Sequence, residues 1–273
     1  MTNLLTRDDT RGGADGVLRV RGPAYGFMAE CLRLQGDARR QSRIARFFGA
    51  NPLCSGAREW YRDAQSDVRN AKRLKGLGDG FTLLHATHDE DIAVDHLVIG
   101  PTGAFTIATK NHSGYRIRVE NDVLSVNTRR THHVRDARFE AARATKLLDP
   151  KASGQVTVIP LIAIVDPRSL AFGHPRPTDV VVVASSRLAR TITRRKRALT
   201  DEAIAEFVVR AQQGGRWHAD SRVVDDTFTP EADFALLVQR VDAAARRRAL
   251  WILGGLGAVL AGIAVAALLF GAG

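Results

Sequence analysis

The run ALWILGGLGAVLAGIAVAALLF, from Ala249 to Phe270, carries no charged residue over 22 positions. At about 1.5 Å per helical residue it reaches roughly the 30 Å hydrocarbon thickness of a bilayer, whereas a core helix of a soluble protein is usually shorter and keeps a polar stripe. The run therefore reads as a transmembrane helix. Arg246, Arg247 and Arg248 stand immediately before it and only Gly271, Ala272 and Gly273 after it, so the positive-inside bias predicts one C-terminal span with the amino-terminal part cytoplasmic. Gly257 with Ala261, and Ala258 with Gly262, are small residues four apart that allow a second helix close by, a route to a homodimer through the membrane. The opening stretch MTNLLTRDDTRGGADG mixes charge and glycine without an apolar centre, so no signal peptide is expected there.

Ahead of the span, the chain has the composition of a protein with a core. Of its 273 residues 45% are apolar, and forty Lys and Arg against twenty-nine acids give a net charge of +11. That excess favours anionic partners, nucleic acid or an anionic membrane surface, without choosing between them. Cys31 and Cys54 are too few for a disulfide framework or a cysteine-rich zinc site, which suits a reducing compartment. The histidines at 85, 88, 96, 112, 132 and 133 show no i, i+4 pair, so a helical zinc motif is not expected; His96 reads as a satisfied core histidine.

Residues 1–55 lack sustained periodicity, apart from a short helix in YGFMAECLRL, and are read as an irregular extension. Ala57 to Leu74 has no Gly or Pro and mixes apolar with charged positions, an amphipathic helix closed by KGLGDG. FTLLHA, IAVDHLVIG and AFTIAT follow as strands, the last two joined by the turn Gly100-Pro101-Thr102-Gly103, and YRIRV with VLSVN form a hairpin. A helix is predicted from Val134 to Leu148 with Phe139, Ala142 and Leu147 inward. VTVIPLIAIV and DVVVVA are nearly continuous apolar runs, as expected of strands covered on both faces. Further helices are expected from Ser185 or Ser186 to Lys196, from Thr200 to Gln213, and from Thr229-Pro230-Glu231 onward. The fold class is α/β, a central mixed sheet flanked by helices plus the membrane helix. Its parts are an extension (1–55), a globular domain (56–215), a helical connector (216–248) and the span (249–270).

Two residues inside the predicted strands ask for a chemical reason. Aspartate is disfavoured in strands, yet Asp95 interrupts AVDHLVIG, and the strand FTIATK ends with Lys110 on the face of Thr106 and Ala108. A helix, a strand with a central Asp, a tight turn, then a strand ending in Lys is the order of parts in restriction-endonuclease-like folds.

The stretch VDHLVIGPTGAFTIATKNHSG closely resembles the signature of the NERD (nuclease-related) domain, a branch of the PD-(D/E)XK nuclease-like superfamily, whose pattern runs Asp-His-Leu-Val, Gly, Phe, then acid-x-Lys and Gly. The likeness runs from about Ala57 to Leu148 and more loosely to about 215. It implies that Asp95 is the strand carboxylate and Lys110 the lysine that positions the attacking water. It implies also that Asp67, in AQSDVRNAKRL, falls where the family has a helix Gly-Glu pair, so that Asp95 and Asp67 would hold Mg²⁺ or Mn²⁺. Hard oxygen ligands suit such an ion, which lowers the pKa of its water. The departure is Ala108, which stands where the second strand carboxylate belongs; Glu140 on the following helix is the candidate to compensate, against the simpler reading of an exposed helix Glu.

SRLARTITRRKRAL, residues 186–199, holds six bases and no acid, with Arg187, Arg190, Arg194 and Arg197 on one face of the predicted helix. Such a stripe fits a phosphate backbone or an anionic leaflet, and no aromatic platform for base stacking accompanies it. Three functions remain open at this point. One is nucleic-acid binding by a membrane-anchored domain with a degenerate metal site. The others are an active Mg²⁺-dependent nuclease with a rearranged site, and a membrane-surface or partner-binding module.

Overall fold

The computed structural model describes residues 23–38, 41–85, 96–149, 156–212 and 230–270, with backbone alone from 265. Asp95 and the start of its strand lie outside the described residues, as do 1–22 and the first half of the predicted connector.

A five-stranded sheet organises the domain. Its strands are β1 (Thr82–His85), β2 (His96–Gly100), β3 (Gly103–Asn111), β7 (Ile159–Val165) and β9 (Val181–Ala184), in that spatial order. The β2–β3 hairpin closes at the predicted Gly-Pro-Thr-Gly turn, with Gly100 opposite Gly103, and Gly103 at φ 131° takes a conformation that side chains disfavour. β3 then pairs with β7 in parallel, Phe105 opposite Ile159 and Lys110 opposite Ile164, and β7 pairs with β9 in parallel. Parallel neighbours need a crossover, and the one from β3 to β7 contains three strands of a second sheet and a helix, the fourth strand following β7. The sheet runs β6 (Arg129–Thr131), β5 (Val123–Val126), β4 (Arg116–Glu120), β8 (Ser169–Phe172); the helix is α4 (His133–Leu148). Asn121, at φ 51°, makes the tight β4–β5 turn.

The central sheet is covered on both faces. Val98, Phe105, Ile107 and Leu161 pack under α3 (Ala57–Lys75) and α5 (Leu188–Thr193), whereas Leu97, Ile99 and Ala104 pack under α4 and α6 (Asp201–Gln212). β7, in the interior, is buried from Pro160 to Val165, as its unbroken apolar run predicts. β9 departs from that expectation: it is the edge strand and only Val182 is fully buried, so its apolar run reflects one covered face and a strand neighbour on one side.

α4 covers the sheet with Val134, Ala137, Glu140, Ala141, Ala144 and Leu148. The predicted inward face was about one residue off: Phe139 is 64% exposed and Ala142 is exposed. The reason is steric, because three alanines at i, i+4 and i+7 let the helix axis approach the sheet closely, where a phenylalanine would hold it away.

The described part of the amino-terminal segment is not an irregular extension. α1 (Tyr25–Gly36) and α2 (Arg43–Phe47) precede α3, and Met28, Cys31 and Leu53 are buried with Ala57, Tyr61 and Ala64 of α3. The same cluster takes in Phe234 and Leu237 of α7, which runs without interruption from Pro230 to Phe270. Connector and span are thus one helix. Its first part buries one stripe (Phe234, Leu237, Ala244), while the side chains from Trp251 to Ala264 are exposed all round. It is the one helix among the described residues that is long and apolar enough to cross a membrane.

Ile162, with no exposed surface, sits on β7 between β3 and β9. Ile162→Ala is expected to lower unfolding free energy by about 2–5 kcal/mol, and Phe139→Ala by about 0.5 kcal/mol or less, in urea denaturation followed by circular dichroism.

Candidate functional site

Alternation along β3 divides its carboxyl-terminal half into two surroundings. Phe105, Ile107 and Thr109 face α3 and α5; Thr106, Ala108 and Lys110 face the side covered by α4. The predicted site residues fall on different sides of this division.

On the α3 side lies a buried polar network. The inward stripe of α3 runs Ala57, Tyr61, Ala64, Ala71, Leu74, and Asp67 and Asn70 occupy its middle, at 2% and 0% exposure. Two polar groups in an apolar stripe need partners, and they have them. Thr109 Oγ1 donates to Asp67 Oδ1 at 3.1 Å and accepts from Asn70 Nδ2 at 3.1 Å. His96 Nε2 lies 2.9 Å from Asp67 Oδ1, and His96 Nδ1 lies 3.0 Å from His85 Nδ1.

Burial first, and then the charge of His96, hold His85 down to about 4, so His85 is neutral at neutral pH. One proton joins the two Nδ1 atoms, and the other nitrogen of His96 faces a carboxylate. Burial pushes the Asp67 carboxyl up, but the charge and contact of His96 and the Thr109 hydroxyl outweigh it and the net direction is down. Asp67 and His96 thus form a close buried carboxylate–histidine pair. His96 is a fully buried core histidine that faces Asp67. Asp67 is on the face of β3 opposite Lys110 and is committed to the core, which separates a predicted ion ligand from the lysine predicted to position water beside that ion; Asp95, the other predicted ligand, lies outside the described residues.

Across the strand, Ala108 is 2% exposed, and Thr106, at 1%, has a hydroxyl without a hydrogen-bond partner among the described residues. Glu140 enters this side from α4 at 7% exposure; the expectation of an exposed helix Glu is corrected, since the shifted face of α4 turns it toward the sheet. Lys110 is half-buried at the end of the row, beside two histidines. His112 Nε2 and His133 Nε2 are 3.1 Å apart, with their rings stacked at 5.3 Å between centroids. Burial, then the Lys110 charge, lowers both, His133 to about 3, so the pair shares one hydrogen bond between neutral rings.

Beyond the pair opens a cleft of about 800 Å³, between the start of α3 (Glu59, Arg62, Asp63) and the β5–β6 turn (Asn127 to Arg130). Sequence reasoning missed Arg62, Arg129 and Arg130 here, because only the tertiary fold brings α3 and the β5–β6 turn to the end of β3. The cleft adjoins the carboxyl end of a parallel strand, the usual place for ligands on such sheets.

The arginine stripe is not one helical face. A 3₁₀ turn (Ser185–Arg187) precedes α5, which ends at Thr193; Arg187, Arg190, Arg194 and Arg197 are all exposed, but Arg197 pairs with Asp201 at 2.7 Å beyond the helix. Short helices form here because Ala184 is the end of β9 and the five residues from Arg194 to Ala198 crowd positive charge.

Residues 62–165 match the family model of the nuclease-related domain, NERD. Over that segment the chain is similar to the NERD domain. The match opens in the first turns of α3 and closes at Val165, the end of β7, so it takes in both faces of β3. Comparison with curated proteins and with solved structures gave no match.

The NERD resemblance implies a divalent cation, and Asp95, its expected strand ligand, lies outside the described residues. Among them no group of three or more His, Cys, Asp and Glu is arranged to hold a metal ion. Ala108 offers no donor, and Asp67 is turned away from Lys110.

Asp67→Asn would leave His96 without its counter-charge, so a loss of about 3–5 kcal/mol is expected in chemical denaturation, against about 1 kcal/mol or less for Lys110→Ala. A carboxylate kept for a metal would instead give little or no loss. The pH dependence has a definite sign. His85 and His133 have folded values below the unfolded value of about 6.5, so the unfolded chain binds more protons below that pH and stability falls as pH drops from about 6.5 toward 4. Asp67, whose value is depressed, keeps its contribution through this window and loses it only below about 4. Denaturation midpoints across pH 4–7 should show the slope, and His85→Gln should reduce it.

Proposed function

We propose that this protein is a membrane-anchored NERD domain that binds nucleic acid from the cytoplasmic side through a nuclease-like cleft whose ion site is degenerate. The observation that carries the reading is Ala108. It is buried two residues before Lys110 on the same side of β3, where the family pattern has an acid. With Asp67 held by His96 behind the strand, Glu140 is the acid that α4 turns toward the sheet on the Lys110 side, and a single described carboxylate makes a weak ion site.

The binding half of the proposal rests on charge and position. Lys110 stands at the carboxyl end of β3, next to a cleft that Arg62, Arg129 and Arg130 line, and the exposed Arg187, Arg190 and Arg194 follow the neighbouring end of β9. A phosphodiester backbone is an anion of that length, and its neutralisation releases counterions whatever the base sequence. The three acids of the same cleft, Glu59, Asp63 and Asp136, limit the charge there, so the exposed arginines supply part of the attraction. Anchoring through α7, with Arg246 to Arg248 at a cytoplasmic border, supports a domain that works at the inner leaflet.

The test is cleavage of labelled DNA and RNA, single- and double-stranded, by the full chain in detergent with Mg²⁺ or Mn²⁺. Wild type is expected to bind without cutting, and Ala108→Asp, checked for folding by circular dichroism, to gain metal-dependent cutting. Cutting by wild type that Lys110→Ala abolishes would replace this reading with an active nuclease whose site is rearranged.

A further inference from the structure

α2 and the turn after it place large apolar side chains in the open. Ile44 is 73% exposed, Phe47 59% and Phe48 52%. Isolated exposed apolar residues need no explanation, but three within five positions, on a helix of five residues, do. Their position supplies one. Trp251 Nε1 donates to the Phe47 carbonyl at 3.1 Å, and Arg247 Nη1 donates to the Arg46 carbonyl at 3.2 Å. The Trp251 ring lies 5.1 Å from that of Phe47 and 5.0 Å from that of Phe48. Gly49, at φ 73°, lets the chain press against α7: a Cβ there would lie 2.4 Å from the Ala244 carbonyl oxygen and 2.5 Å from the Arg248 nitrogen. The segment is thus fastened to α7 between residues 244 and 251.

That height is special on α7. Below it the helix buries one stripe against α1 and α3; at Arg246 to Arg248 it is charged; from Leu250 onward its apolar side chains are exposed on every side. The Ile44, Phe47 and Phe48 surface is continuous with the start of that apolar length, through a groove lined by Phe47, Arg247, Leu250, Trp251 and Gly254. Between Asp37 and Glu59 the sequence has no acid, and Arg43 and Arg46 flank Ile44 and precede Phe47 and Phe48. Aromatic rings among arginines, at the point where a helix becomes wholly apolar, match the chemistry of the headgroup–acyl boundary of an anionic bilayer.

We propose that residues 42–51 are a second membrane attachment, a short wedge whose Ile44, Phe47 and Phe48 enter the bilayer interface beside α7 while Arg43 and Arg46 meet anionic headgroups. A single helix leaves a domain free to rotate about its axis. A wedge fixed to one side of that helix, and itself in the interface, sets which face of the domain looks toward the lipid. This inference rests on the reading of α7 as a membrane anchor.

The test uses the full chain in phosphatidylcholine–phosphatidylglycerol vesicles, with Cys31→Ser and Cys54→Ser so that each keeps a hydroxyl donor for its carbonyl. Nitroxide labels at Ile44→Cys, Phe48→Cys, Leu256→Cys and Ser113→Cys are compared by collision with oxygen, which concentrates in lipid, and with a water-soluble nickel chelate. Labels at 44 and 48 are expected between the aqueous value of 113 and the deep value of 256. Gly49→Val in the same background should return label 44 toward the aqueous value and leave 256 deep. If 256 is deep while 44 and 48 match 113, the wedge is wrong and the anchor stands. If 256 itself matches 113, the anchor fails and the wedge with it. Protection at 44 that disappears when the protein is diluted into excess lipid would mean that a second copy covers the patch, which also overturns the proposal.

Discussion

The extended backbone of β3, held between β2 and β7, sends neighbouring side chains of the Thr106–Lys110 stretch to opposite sides of a sheet that is covered by helices on both faces. No side chain of that stretch can reach a partner across the sheet, so the strand separates two chemistries. Behind it, Thr109 joins Asp67, Asn70 and His96 in a buried polar network. In front of it, Lys110 stands near a cleft, beside two neutral histidines. A buried pair of this kind contributes little net stability relative to an apolar pair, yet losing one partner is costly, so the network fixes how α3 sits on β2 and β3.

Much of this was legible in the sequence. The hairpin at Gly100–Gly103, the interior strand at Ile159–Val165, the helices at 57–75 and 133–148 and the apolar end of α7 all follow from local signals of turn, period and length. The division of the site did not. Asp67 and Asn70 sit at stripe positions of α3, which marks them as inward, but the sequence does not say that inward means behind β3. Glu140 was legible only once the inward face of α4 was known, and the alanines at 137, 141 and 144, rather than Phe139, set that face. The arginines of the cleft come from segments more than sixty residues apart in sequence, Arg62 on one side and Arg129 and Arg130 on the other, and local periodicity carries no information on such contacts.

The amino-terminal helices gain their structure from α7. α1 is short and its sequence weakly amphipathic, and a helix of this length is marginal by itself. It persists because Met28 and Cys31 are buried against α3 and the stripe of Phe234 and Leu237. The helix that is apolar enough to enter a membrane is therefore also a support of the globular domain. The candidate membrane helix is thus continuous with the packing of the domain rather than joined to it by a flexible tether.

The central claim is that the domain binds nucleic acid through phosphate contacts. The measurement that tests it most directly is the affinity of the full chain, in uncharged detergent, for a labelled duplex over a range of salt concentrations. The account predicts a straight fall of log affinity with log salt, with Lys110→Ala or Arg130→Ala each reducing the slope by about one phosphate contact. No binding at low salt, or an affinity indifferent to salt, would contradict it.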